Sequence, residues 1–413
     1  MRISCLQEQL SKGLAVTSRA VSSKSPLPIL THVLLDAREE GAGEGKVRLA
    51  ATNLEMGISY WIAAIVEEPG AIAVPARVTT DFVSALPTER IGMLLNDKTQ
   101  TLGIKCGYQN ANVKGIDAQE FPAMAVGLKP TFKTSLQAKG LRELLDRAAF
   151  AAATEDSRPI LTGVLAEFYD KQLTLASADG FRLSVQKACL IDAVEPFKVV
   201  IPAKALQEVS RVLGEQAEPV EISVNENRTQ VKIALTNIEV TAALIDGAFP
   251  DFKRIIPQQH TSRAVVTTSE LATAVKMVCV IVDKNGKHNG VRLEADTKHK
   301  RMITLGAHAE RGDAVGEIDA AIEGDSFTVS LQAPYLLQLL DRITSPQLAI
   351  EFLKNEPQPA PVVIRSVGDD DFLHVMMPLI ETRAAPKEKK EKAEKEPAIE
   401  KNAAKEPAKE AAT

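Results

Sequence analysis

Arg2 to Val21 reads RISCLQEQLSKGLAVTSRAV, Phe132 to Phe150 reads FKTSLQAKGLRELLDRAAF, and Arg263 to Val282 reads RAVVTTSELATAVKMVCVIV. Each stretch opens as a short alternating strand and runs into an amphipathic helix. Leu10 and Leu14, Leu141 and Leu145, and Leu271 and Val275 stand at i, i+4, which puts each pair on one helical face. Those faces are expected to bury against a sheet. The three openings lie 130 and 131 residues apart, and self-similarity at a fixed spacing constrains the architecture more than any single element does.

The rest of each repeat follows in the same order. A strand entry comes next, PILTHVLLDA at Pro28, PILTGVLAEFY at Pro159 and HNGVRLEAD at His288. A strand pair follows, KVRLAATNLEMGISYWI, QLTLASADGFRLSVQKA and RMITLGAHAERGDAVGEI. A second strand and helix occupy AIAVPARVTTDFVSALP, FKVVIPAKALQEVSRVL and FTVSLQAPYLLQLLDRI, with Pro75 and Pro202 where a helix begins and no N–H partner is lost. A meander closes each repeat. It is clearest in EISVNENRTQVKIALTNIEVTAAL, where Ile222 and Val224 alternate into a turn and Val231, Ile233 and Leu235 alternate out of it.

The expected fold is therefore α+β, three tandem repeats, each made of two strand–helix–strands halves. A helix that lays one face on a sheet leaves the other free, so repeats joined edge to edge put sheets outside and helices inside an arc or ring. Pro and Gly in FPAMAVGLKP and FPDFKRIIPQQH set the boundaries: domains at 1–128, 129–257 and 258–381. Beyond them, 382–413 is almost devoid of apolar side chains, as in APKEKKEKAEKEPAIEKNAAKEPAKE. Such a segment cannot offset the entropy of ordering and is expected to be a flexible tail.

Composition bounds the function. Hydrophobic residues make up 45% and aromatics only 4%, so the cores must rest on Leu, Ile, Val and Ala. The net charge of −5 argues against global attraction to nucleic acid, although charge can still be segregated by face. Cys5, Cys106, Cys189 and Cys279 form no metal spacing and read as buried thiols of a reducing compartment. With neither an apolar leader nor a membrane-length run, a cytoplasmic protein is expected.

Several strings, in this order and spacing, resemble the bacterial DNA polymerase III beta clamp family: LPILTHVLL at Leu27, TNLEM at Thr52, VPAR at Val74, ADGFRL at Ala178, DGAFPDFKRIIP at Asp246, GVRL at Gly290 and HVMMPL at His374. The resemblance spans residues 1 to about 380. It implies the clamp fold and a head-to-tail homodimer whose six domains ring duplex DNA. Such a non-catalytic processivity subunit, with no cofactor and no metal, holds DNA topologically and tethers the polymerase III alpha subunit, the clamp loader, other polymerases and mismatch-repair proteins. Weak, sequence-independent phosphate contacts suffice for sliding.

By that resemblance, DNA would be met by Lys24, by Arg77 in VPAR and by Lys204 in IPAK; helical register adds Arg142, Arg147, Arg211 and Lys276 as candidates. Family members carry polar or aromatic groups where Glu155, Pro159 and Ile160 stand here, so the contact set is expected to differ there. The resemblance implies a partner-peptide groove of Leu161, Ala178, Gly180, Phe181, Arg182, Leu183, Pro250, Arg254, Ile255, Val375, Met377, Pro378 and Leu379. Apolar anchors with a few cations and an adaptable Met suit a short peptide; without the family, most of these would read as core. Phe181 stands where the family usually has histidine, and a tail follows where family chains commonly stop. The tail is expected to modulate partner access. The subunit seam is expected to pair Ala111 and Val113 with Ile281 and Val282, smaller residues than the family usually carries in part of this seam.

Apparent catalytic signals fail. GAGEG at Gly41 lies between strands with no helix after it, Asp369, Asp370 and Asp371 read as a solvated turn, and His308, Glu310 and Asp313 are scattered. The alternatives to a replicative clamp are a clamp-like paralogue serving resistance or repair, and a metal-dependent nuclease of similar fold. The nuclease would need clustered inner carboxylates that the sequence does not offer.

Overall fold

In the computed structural model the strand-to-helix openings fold as strand and helix in all three repeats. The structure describes residues 1–22, 25–38, 43–122, 130–155, 157–214, 216–280, 290–298, 301–306, 314–354 and 360–379. The first repeat holds β1 (Arg2–Leu6), α1 (Gln7–Thr17), β2 (His32–Asp36), β3 (Gly43–Thr52), β4 (Met56–Glu68), β5 (Ala71–Pro75), α2 (Ala76–Ser84), β6 (Arg90–Asn96), β7 (Thr101–Cys106), β8 (Gln109–Lys114) and β9 (Ile116–Asp117). The second holds β10 (Pro130–Leu136), α3 (Leu141–Ala149), β11 (Gly163–Ala178), β12 (Arg182–Pro202), α4 (Ala203–Val212), β13 (Val220–Asn225), β14 (Gln230–Ala234) and β15 (Ile238–Ala243). The third holds β16 (Ser262–Thr267), α5 (Thr268–Cys279), β17 (Gly290–Asp296), β18 (Arg301–Gly306), β19 (Val315–Gly324), β20 (Phe327–Gln332), α6 (Ala333–Leu340), β21 (Gln347–Phe352), β22 (Val362–Ser366) and β23 (Phe372–Met376).

In the second repeat, β11 and β12 are long because each runs through what the first repeat splits into two strands. The helices bury the anticipated residues: Leu10, Leu14, Leu141, Leu145, Leu271 and Val275 are all at most 5% exposed. Pro75 and Pro202 sit one residue earlier than a first-turn position, as the extended residues immediately preceding α2 and α4.

Two junctions join the repeats, and both are antiparallel strand pairs. β15 pairs with the start of β4, with Ile238 opposite Tyr60 and Ala242 opposite Met56. β23 pairs with the start of β12, with Phe372 opposite Gln186 and Met376 opposite Arg182. The registers correspond residue for residue when TNLEMGISY is laid on ADGFRLSVQ. The Trp61 N–H donates to the Asn237 carbonyl at the first junction, and the Lys187 N–H donates to the Asp371 carbonyl at the second.

Helix contacts run in one row. Ser18 and Thr80 link α1 to α2 at 3.1 Å, and Arg19 reaches Glu208 of α4 at 3.6 Å. The Ser210 hydroxyl donates to Asp146 of α3 at 2.7 Å, Arg342 beyond α6 reaches Asp146 at 4.0 Å, and Lys276 of α5 meets Asp341 at 3.2 Å. The order is α2, α1, α4, α3, α6, α5.

Cys5, Cys106 and Cys279 are buried, but Cys189 is exposed on β12, contrary to the expectation of four buried thiols. Burial pushes the Cys5 thiol up to about 12, with Arg90 opposing the shift. Truncating Leu145, 5% exposed in the main core, to Ala is expected to lower unfolding stability by about 2–5 kcal/mol. Equilibrium denaturation measures it.

Candidate nucleic-acid interface and peptide groove

The helix row carries exposed cations: Arg77, Arg142, Lys204, Arg211 and Lys276 among the expected positions, and Lys12, Arg19, Lys139 and Arg342 besides. Many are already paired. Arg77 lies 3.8 Å from Asp81, Lys276 3.2 Å from Asp341, Arg19 and Arg211 share Glu208, and Arg342 is 4.0 Å from Asp146. Lys12, Lys139, Arg142 and Lys204 have no carboxylate within ion-pair distance among the described residues. Exposed pairs of this kind contribute only about 0–1 kcal/mol, so a phosphate can displace the carboxylate.

Arg147 is not one of these cations. It is 6% exposed, and it bonds Glu143 at 2.5 Å, Asp369 at 2.9 Å and the Thr344 hydroxyl at 2.9 Å, with Phe372 stacked 5.3 Å below. Register put it on the helix surface, but the β22–β23 turn and the segment after α6 cover that surface. Asp369 is correspondingly no solvated turn residue; it anchors the second junction. Lys24 lies outside the described residues.

The groove residues converge on the second junction. Asp179 accepts from the Phe181 and Arg182 N–H groups at 2.9 and 3.0 Å, closing a turn in which Gly180 takes φ +94°, a conformation that favours glycine. That turn presents Phe181, which is 55% exposed. The Met377 N–H donates to the Phe181 carbonyl at 2.8 Å and the Leu379 N–H to the Ser330 carbonyl at 2.7 Å, which holds the Met377–Pro378–Leu379 segment beside it. Gly180, Pro250, Arg254, Ile255 and Met377 are exposed and Ala178, Pro378 and Leu379 half-buried. Leu161, Leu183 and Val375 are buried floor. Ala178, Leu183 and Val375 share an apolar cluster with the linker residues Phe249, Phe252 and Ile256.

Arg182 also belongs to the floor, rather than being an exposed cation. It is 8% exposed, paired with Asp179 at 3.0 Å and stacked 4.2 Å over Tyr335 and 5.3 Å from Phe150. Burial lowers its pKa, opposed by Asp179. Tyr335 and Phe150 are groove supports that sequence reading missed, because they come from α6 and the end of α3. Beneath them His374 is fully buried, stacked 5.1 Å from Phe150. Burial, helped by Arg182, pushes its pKa down to about 3.

Of the seam positions, Ala111 is half-buried on β8, while Val113 is 8% exposed and packs into the first repeat's core. Strand alternation turns the Val113 side chain inward, so it is not an exposed seam side chain. Ile281 and Val282 lie outside the described residues, as do Gly41, His308, Glu310 and Asp313. No cluster that could hold a metal ion occurs among the described residues, and no described helix is long and apolar enough to cross a membrane.

Three family models match the chain in order: the N-terminal domain of the DNA polymerase III beta subunit over 1–125, its central domain over 135–251 and its C-terminal domain over 253–380. The chain belongs to the DNA polymerase III beta subunit family, the beta sliding clamps. It is similar to the beta sliding clamp of Synechococcus elongatus, 29% identical over 384 residues that cover 92% of this chain and 99% of the relative. It resembles the sliding clamp structure from Bacillus subtilis at 27% identity and TM-score 0.84, covering 92% and 99% of the two chains. A Pseudomonas aeruginosa clamp bound to griselimycin matches at 26% identity and TM-score 0.83, with the same coverage. In this beta clamp, as in the family, the fold is the tandem clamp fold and the function is that of a DNA sliding clamp.

Two outcomes distinguish a DNA-facing cation from a structural one. Arg142→Ala and Lys204→Ala should each reduce the magnitude of the log K versus log salt slope for DNA by about 1. Arg147→Ala should leave that slope alone and cost about 1–3 kcal/mol of unfolding stability, since it removes charge-assisted hydrogen bonds to Asp369 and Thr344 across the junction. For His374, the folded pKa lies below the unfolded 6.5, so its stabilising contribution is complete above pH 6.5 and is lost as pH falls toward 3, by up to about 1.4 kcal/mol per unit. Replacing it by Val, the residue at the matching place in β15 (Val240), should flatten the stability–pH profile in that window.

Proposed function

We propose that two copies close head to tail into a six-domain ring, with the helix row facing duplex DNA and the sheets outward. The observation that carries this reading is the junction made twice in one chain: β15 on β4 and β23 on β12, in the same register. Carried once more around the repeat, the pattern calls for β8 of one copy against the start of β19 of the next, and β8 pairs with β7 along its length in this chain. Such heterologous contacts close when the rotation completes a circle.

Lys12, Lys139, Arg142 and Lys204 would supply weak attraction to phosphates, with Arg77, Arg211 and Lys276 joining when phosphate displaces their carboxylates. A ring held by topology needs no more than that, and a net charge of −5 is compatible with it. The three clamp domains are read as 1–128, 129–257 and 258–381, in a cytoplasmic, non-catalytic subunit. The groove would take short apolar peptide segments from the polymerase III alpha subunit, the clamp loader, other polymerases and mismatch-repair proteins. Phe181, Ile255 and Met377 would supply contact area, Arg254 would offer its exposed charge, and Arg182 would hold the floor rigid.

Loading onto nicked circular DNA followed by linearisation tests the ring: the protein should stay on the circle and leave the linear form, and equal retention on both would overturn the reading. For the groove, Phe181→Ala with Met377→Ala should weaken a polymerase-derived peptide at least tenfold by fluorescence anisotropy, with DNA retention unchanged.

A further inference from the structure

The third junction differs in chemistry from the second at corresponding positions. Val16, Arg147 and Met277 occupy one position on α1, α3 and α5, each two residues after the paired core residue (Leu14, Leu145 or Val275). Arg147 crosses the second junction to Asp369 in the β22–β23 turn and to Thr344 after α6. Met277 is 46% exposed in this chain. The turn that corresponds to β22–β23 in the first repeat is β7–β8, where Tyr108 stands at the place of Asn237 and Asp371, whose carbonyls accept at the first and second junctions. Tyr108 is completely exposed.

The strand registers also align Thr344 with Pro87. Leu6 pairs with Arg90 in the first repeat, and Thr267 pairs with Gln347 in the third. Three residues before Arg90 is Pro87, and three before Gln347 is Thr344. The Arg and Thr of the second junction are thus matched by Met and Pro, and the longer turn that carries Asp369 is matched by a two-residue turn that carries Tyr108, on the faces that would meet at the third. Beside Met277, between α5 and the start of β19, lies an open cavity of about 780 Å³ lined by Ala274, Met277, Val315 and Ile318 together with polar neighbours. Val315 is 55% exposed.

We propose that this cavity is the socket of the ring seam: Tyr108, flanked by Pro87, of one copy enters it and packs on Met277 and Val315 of the next. The assignment rests on the ring reading above. A second copy of this chain is the occupant because the same repeat geometry fills the corresponding place at both internal junctions, and because loss of the polar partners on one face coincides with their loss on the other. The register then sets Gln109 opposite Gly316 and Asn110 opposite Val315. Phenol against thioether and valine is a contact built on apolar burial and sulfur–aromatic attraction, unlike the ion pair that joins the second and third repeats.

Placing an ion pair at the seam tests it. Full-length Tyr108→Asp and Met277→Arg should each raise the dimer dissociation constant at least tenfold in sedimentation equilibrium, while unchanged thermal melting of the dilute protein shows that each chain still folds. The double variant should regain dimerisation, with a steeper salt dependence than the parent. In a Cys189→Ser background, Tyr108→Cys with Met277→Cys should form a disulfide-linked dimer on oxidation. Single variants that dimerise like the parent, or a double variant no tighter than the weaker single, would overturn the socket while leaving the ring standing. A parent chain that remains monomeric at every concentration, and leaves circular and linear DNA alike, would overturn both.

Discussion

An open strand edge must find a partner. Every backbone N–H and C=O along it carries hydrogen-bonding capacity that another strand can satisfy. Within this chain the problem is solved twice, by β15 on β4 and β23 on β12, and the solution has a direction: the last strand of one repeat adds to the middle of the repeat before it. Much else follows from that asymmetry. It sets the helices in a single row, brings the Gly180 turn beside the Met377 segment, and gives the chain two unlike ends.

The second junction combines rigidity and recognition. Arg147 ties helix to turn on the row side, while Arg182, stacked between Tyr335 and Phe150, ties the strand pair under the groove. His374 sits below with its ring among apolar neighbours. The exposed Phe181, Ile255 and Met377 therefore stand on a packed floor, and on the proposed reading a peptide arriving there would meet them without having to order a loose surface.

The repeat was legible because three copies of one pattern stand at nearly equal spacing, and because i, i+4 pairs such as Leu141 and Leu145 point to a single buried face. The proposed groove rests on family likeness, since Leu183 and Val375 look like core and are core. What could not be read were contacts made by distant segments. Arg147 has the right register to face outward, yet a turn 222 residues away covers it. Arg182 looks like a groove cation, yet α6 supplies the ring that buries it. Val113 shows the same limit on a smaller scale: being on an edge strand says nothing about which way a side chain points until the pleat is known.

On the proposed ring, the ion pairs on the helix row would bear on movement along DNA. A bare lysine facing a phosphate gains when the two meet and loses when they part, so every step along the duplex would climb out of a well. A cation that already holds a carboxylate exchanges one anion for another, and the energy of the pair changes little as phosphates pass. In a ring whose helix row faces DNA, Asp81, Glu208, Asp146 and Asp341 would act as a lubricant: they would flatten the landscape that a translating helix of charge presents, and low friction would be a property of the inner acids as much as of the inner bases.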